Sequence, residues 1–179
     1  MKPITKLHDA IFAWGEAQAW WLVPSLARFI FASILAGYFW TSAMTKVGDG
    51  ILGFLSPSLG AYAQIFPRQM ASVSYDISQL GTYHWAVVTA GTLAEFILPA
   101  LLIIGLLTRL SAVGMIGFIV VQSLTDVIGH GADAETIGRW FDRFPDGLIV
   151  DQRALWVFVL GTLVLYGAGP VSADRLLRR

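Results

Sequence analysis

The chain contains no cysteine, and that one absence removes a long list of chemistries. Disulfides, thiolate metal ligands, iron–sulfur clusters, dithiol redox exchange and covalent haem all require the missing thiol. Charge is scarce too. Asp, Glu, Lys and Arg make up 13% of the 179 residues, about half the share of an ordinary soluble domain. Twelve basic residues balance twelve acidic ones, so no cationic footprint for nucleic acid exists. Three histidines are left for metal or proton-transfer roles. In place of charge the chain has apolar length: 56% of its residues are hydrophobic, with a mean hydropathy of +0.66.

That length is concentrated in four runs, roughly Trp21 to Thr45, Trp85 to Leu107, Leu110 to Ile128 and Ala154 to Gly169. Crossing ~30 Å of hydrocarbon takes about 20 apolar residues at ~1.5 Å each. As a single helix, the nearly unbroken stretch Trp85–Ile128 would reach about 66 Å, twice the membrane. The chain must turn, and Arg109, the only charge between Glu95 and Asp126, marks the place because a charge at mid-bilayer is costly. The sequence therefore predicts an all-α, polytopic fold: one membrane domain over residues 1–179, a four-transmembrane-helix bundle with two long outer loops. No cleavable signal peptide is expected, since Lys2 leads into a polar stretch rather than an apolar core.

Residues 4–19 place Ile4, Leu7, Ile11 and Trp14 at helical spacing, which reads as a separate interfacial helix ahead of Trp20-Trp21. Pro24 then falls in the first turn of the first span. With four spans, both termini and the Arg109 turn share one side. Lys2, Lys6, Arg109, Arg175, Arg178 and Arg179 lie there in short segments, while Lys46, Arg68, Arg139, Arg143 and Arg153 lie on the other side in long loops. The placement predicts cytoplasmic N- and C-termini, with both long loops outside. The loop from Gly48 to Tyr83 is too apolar for a free linker and predicts short helices along the outer surface. The second loop, GHGADAETIGRWFDRFPDG, offers a helix start at Asp133 and a turn at Phe144–Gly147. Trp140, Phe141 and Phe144 are expected to fold it onto the bundle. Stripes of small residues (Ala86, Ala90 and Ala94; Ser111, Gly114 and Gly117) predict close helix approach. Tyr38, Trp40, Tyr83, Trp85 and Trp156 predict an outer aromatic belt.

Two ionisable residues fall deep inside spans, Arg28 and Glu95. Their depths differ by ~8 Å, so a paired Arg28–Glu95 in the interior is expected, as a clamp or as the polar floor of a ligand site. Pro99 removes the hydrogen bond to the Glu95 carbonyl, four residues back, adding unsatisfied polarity at the same place. A second cluster gathers at the outer mouth: Lys46, His84, Gln122, Asp126 and His130. Asp126 and His130 share a helix face. His84, His130 and Asp126 have metal-ligand character without a motif, so no metal site is assigned. A Lys46–Asp126 ion pair is the simpler reading.

The residues Arg28, Lys46, Ala94-Glu95, Gly105-Leu-Leu-Thr-Arg109 and Gly167-Ala-Gly-Pro-Val-Ser-Ala-Asp174 together resemble the DoxX family of small four-helix membrane proteins. The turn and the tail are the specific parts. An Arg109–Asp174 pair is expected to lock the hairpin turn to the tail, with Pro99, Arg109 and Asp174 as a structural signature. Related DoxD-type proteins are subunits of thiosulfate:quinone oxidoreductase, so the resemblance implies quinone contact or a membrane-anchor role. Relatives that use cysteines for disulfide formation offer no guide to a chain without them. The second loop also resembles a subgroup found beside enzymes that modify copper-binding peptides.

The reading is an accessory subunit of a redox assembly, adjacent to quinone or lipid, with no covalently bound cofactor and no redox centre of its own. Its expected partners are the bilayer and another membrane or periplasmic redox protein; nucleic acid is not one, and homo-oligomerisation stays open. Rival readings are a purely structural subunit, a carrier or enzyme using the Arg28–Glu95 interior, and a membrane partner of a copper-peptide system. An apolar cavity leading to Glu95 would favour a ligand; a filled bundle with one flat apolar face would favour pure docking.

Overall fold

Each apolar run is a helix because, in lipid, the backbone must satisfy its own hydrogen bonds. The computed structural model describes residues 2–177, with side chains from Thr5 onward. Arg178 and Arg179, and the side chains of Lys2 and Ile4, lie outside the described residues. Four helical stretches are long and apolar enough to cross a membrane: Thr5–Lys46, Thr82–Ile104, Thr108–Gly129 and Leu148–Tyr166. Among the described residues the elements are α1 (Lys2–Ile30), α2 (Ala36–Lys46), α3 (Leu59–Ile65), α4 (Pro67–Ser72), α5 (Thr82–Ile104), α6 (Thr108–Leu124), α7 (Ala134–Ile137), α8 (Arg153–Tyr166) and α9 (Ala173–Leu177).

The first span departs from expectation. No break separates an interfacial helix from it. The helix runs from Lys2 to Lys46 through a π-helical turn at Phe31–Leu35, and Pro24 is buried within it. Leu7, Ile11 and Trp14, the predicted apolar face, stand exposed. The π turn has a packing reason. Ala27, Phe31, Leu35, Phe39 and Ala43 are all buried, a constant four-residue spacing that drifts by about 40° per step on an ideal α-helix. A wider turn restores the phase. It also sits where the helix changes neighbours: α1 packs on α8, and α2 packs on α5. With α5 on α6 and α6 on α8 the ring of four closes. Phe31, Phe39, Leu102, Met115, Ile119, Leu160 and Leu163 fill its centre.

The hairpin between α5 and α6 is as tight as the sequence implies, and glycine geometry explains it. Gly105 adopts φ +73° and its N–H bonds back to the Leu101 carbonyl at 2.9 Å, a left-handed helix stop. A Cβ there would lie 2.6 Å from Ser172 Cβ and 3.0 Å from Arg28 Cζ. Asp174 then caps α6. Its carboxylate accepts the N–H groups of Leu107 at 2.7 Å and Thr108 at 3.0 Å, and its own N–H donates to the Gly105 carbonyl at 2.8 Å. The expected Arg109–Asp174 pair is absent among the described residues; Arg109 donates instead to the Leu165 carbonyl at 3.0 Å. Orphan N–H groups at a helix start are the better partner for a carboxylate, and the C-terminal carbonyls of α8 are the better partner for a guanidinium.

The first long loop folds as expected into short helices. α3 and α4 bury Ala61, Tyr62 and Met70 against Val88 of α5. Ser58 caps α3, and Asp133 caps α7. The second loop does not fold its aromatics inward. Trp140, Phe141 and Phe144 are exposed, and Phe141 sits at φ +65°. The loop closes on itself instead: a Cβ on Gly147 would lie 2.5 Å from Gly138 Cα. That close approach is available only to two glycines.

Candidate functional site

The two charges inside the spans do not meet. Arg28 lies level with the last turn of α5, donating to the carbonyls of Leu102 (3.1 Å) and Ile103, and to those of Ala168 (2.9 Å) and Val171 in the tail. Leu102 is seven residues beyond Glu95, ~10 Å of helix rise. A helix C-terminus leaves carbonyls unpaired and carries partial negative charge, and one guanidinium supplies five donors. The end of α5 and the returning tail therefore take four of the five donors. Arg28 is a clamp, and its partner is backbone.

Glu95 pairs with Lys46. The ammonium lies 2.8 Å from Oε2 and 3.0 Å from Oε1, and both residues are 3% exposed. Ser42 completes the group, accepting from Lys46 at 2.7 Å and donating to Glu95 at 3.3 Å. The expected Lys46–Asp126 pair is likewise replaced. Asp126 accepts from Arg153 at 2.5 Å, and Arg153 also donates to Ser123 Oγ at 2.9 Å. Arg153 was grouped with loop cations by its sequence position, yet it is 8% exposed. Two π-helical turns, Thr125–Gly129 and Leu148–Gln152, bring that second pair together.

A groove of about 420 Å³ runs between α5 and α6 to these charges. Its apolar length is lined by Ala90, Gly91 and Ala94 from α5 and by Gly114 and Gly117 from α6. Lys46, Glu95, Gln122 and Asp126 form its polar part. The small residues therefore do more than let helices touch. Gly114 is in close contact, with a hypothetical Cβ 3.2 Å from Leu98, but one on Gly117 would meet no atom within 4 Å. Ala90, Gly117 and Val121 are exposed on membrane-spanning helices, so the groove opens sideways toward lipid. Gln122 donates from Nε2 to Tyr38 Oη at 2.8 Å, while its Oε1 is buried with no partner. A buried unpaired acceptor asks for a donor.

Of the sequence-predicted site residues, four converge: Lys46, Glu95, Gln122 and Asp126. Three do not line the groove. Arg28 is at the far end. His84 sits edge-on to Phe66 at 4.8 Å, and His130 Nε2 lies 2.9 Å from the Gln64 carbonyl. Among the described residues no group of three or more His, Asp or Glu side chains gathers as metal ligands. Sequence reasoning missed Ser42 and Arg153, and gave Tyr38 only a belt role. One signal was there to find: Tyr38, Ser42 and Lys46 recur at four-residue steps, a polar stripe along one helix face. Arg153 had no comparable signal.

Comparison with known proteins returns a family match. The model of the DoxX family covers residues 24–127, more than half of the chain, from Pro24 through the Asp126 end of the groove. No curated protein and no solved structure matches.

Proposed function

The chain belongs to the DoxX family of membrane proteins, and on that footing we propose that it binds an apolar molecule with a polar, redox-type head, of the quinone class. The tail of such a ligand lies in the α5–α6 groove and its head reaches the Lys46–Glu95 end. It does so as an accessory subunit of a redox assembly in the bacterial inner membrane, with the groove's polar end toward the outer face. The observation that carries this reading is the groove itself. It is apolar along its length, open to lipid, polar at one end, and within the ~300–1,000 Å³ of small-molecule sites.

The residues present fit a quinone head. Gln122 has an unpaired buried acceptor for a hydroxyl and a second amide N–H for a carbonyl. A bound quinone would supply two-electron, two-proton carrier chemistry that this cysteine-free chain lacks. Glu95 and Lys46 hold opposite charges beside the head and keep the site polar without net charge. Gly91 and Gly117 leave the space that a side chain would fill. A purely structural subunit has no need of such a groove, and a filled α5–α6 interface would pack better.

The test uses the full chain in phosphatidylcholine nanodiscs, with decyl-quinone quenching of tryptophan fluorescence. Saturable quenching is expected in the wild type. Gly117→Leu should fill the groove from a position where an added Cβ meets no atom within 4 Å, and it should weaken binding at least tenfold while leaving melting unchanged. Equal quenching of both proteins would overturn the proposal.

A further inference from the structure

The opposite end of the bundle holds a second recess that the quinone reading does not use. Three spans end there, at Ile104, Thr108 and Tyr166, so it sits at the membrane–water boundary. The α5–α6 turn forms one part, with Leu107 at φ +49°. The tail after α8 forms the other, bending through Gly167 (φ +78°) and Gly169 (φ +75°). Between them lies a space of about 400 Å³ lined by Arg109, Arg175, Thr108, Trp20, Tyr166 and Leu110.

Three features point to one kind of ligand. The first is unspent positive charge. Arg28, nearby, spends four of its five donors on carbonyls, but among the described residues Arg109 makes one hydrogen bond, from Nη2 to the Leu165 carbonyl. Arg175 lies 5.7 Å over the Trp20 ring and forms no ion pair among the described residues. The second is Thr108. Its side chain is fully buried, yet among the described residues its hydroxyl has no hydrogen-bond partner. The third is the apolar surround. Leu107 and Leu110 are exposed at a level where acyl chains begin, and Trp20 and Tyr166 are residues suited to the headgroup zone. Asp174 also lines the recess, but both carboxylate oxygens accept backbone N–H groups of the α6 start. Two guanidiniums thus face one engaged carboxylate.

We propose that this recess binds the phosphate of an anionic phospholipid. The phosphate oxygens accept from Arg109 and Arg175, whose forked donors match that geometry, and from the Thr108 hydroxyl. The acyl chains leave along Leu110 into the bilayer. A bound lipid would tie the α5–α6 turn, α1 and the tail at one point.

The experiment is thermal melting of the full chain in dodecylmaltoside with added phosphatidylglycerol, phosphatidylcholine or soluble glycerol phosphate. A ligand held only by the folded state raises the melting temperature with concentration. Phosphatidylglycerol should raise it, and the other two should not. Among the described residues the Arg175 side chain makes no hydrogen bond and the Thr108 hydroxyl has no partner, so Arg175→Gln and Thr108→Val should both fold. Each should weaken the phosphatidylglycerol response about tenfold, the scale of one lost charge-assisted bond, with melting in phosphatidylcholine unchanged. Phosphatidylglycerol acting no better than phosphatidylcholine, or wild-type responses in both variants, would overturn the site. A saturating response to glycerol phosphate alone would overturn the lipid in favour of a soluble phosphate ester.

Discussion

Glu95→Ala should be the most damaging single change in the bundle, and the structure sets its size. It strands Lys46, whose ammonium is 3% exposed and would keep only Ser42 as a partner. Breaking a buried pair from one side costs ~3–5 kcal/mol, because the remaining charge is uncompensated. Removing both charges is another matter. Lys46→Met with Glu95→Ala leaves no buried charge, and replacing a buried pair by apolar groups is often near neutral. The double variant should therefore be more stable than Glu95→Ala alone, with a coupling of at least ~2 kcal/mol. The assay is unfolding in dodecylmaltoside micelles titrated with dodecyl sulfate, followed by tryptophan fluorescence. Arg28→Met provides the control. Its partners are carbonyls about 10 Å of helix rise away from Glu95, so its effect should add to that of Glu95→Ala within ~0.5 kcal/mol. Additive losses for Lys46 and Glu95, or strong coupling between Arg28 and Glu95, would refute the pairing described above.

Other outcomes follow from the turn and the loops. Gly105→Ala should lower stability by at least ~1–3 kcal/mol in the same unfolding titration, since φ +73° is strained for alanine and the methyl would lie 2.6 Å from Ser172 Cβ. Asp174→Ala should cost ~1–2 kcal/mol by uncapping α6, and its loss should add to that of Arg109→Ala, because the two side chains serve different backbone groups. A cysteine at Ala134, unique in this chain, should react with a membrane-impermeant thiol reagent in intact cells if the second loop faces outward; protection there with labelling only after lysis would invert the proposed orientation.

Much of the architecture was legible in the residues because its causes are local. Hydropathy and length determine a span, and the isolated Arg109 within 44 nearly apolar residues from Trp85 to Ile128 forces a turn. Asp133 before a short helical run reads as a cap and is one. That interior charges must find partners also follows from the sequence, since lipid leaves them no alternative. Which partner each finds does not. Arg28 and Glu95 were the ionisable residues deepest within the spans as drawn, and pairing them was the economical choice. Lys46 at a span's end and Arg153 beyond a loop looked like surface charges. The tertiary structure decided otherwise through two quantities no local pattern carries: the axial offset between neighbouring helices and their rotation about their own axes. The offset sets Arg28 against the end of α5 and Lys46 against Glu95. The π turn at Phe31–Leu35 adjusts the rotation, keeping Ala27 and Ala43 buried at opposite ends of one helix. The groove is likewise tertiary. Glycine and alanine spacing permits helices to touch or to stand slightly apart, and only packing around the ring settles that Gly114 does the first and Gly117 the second.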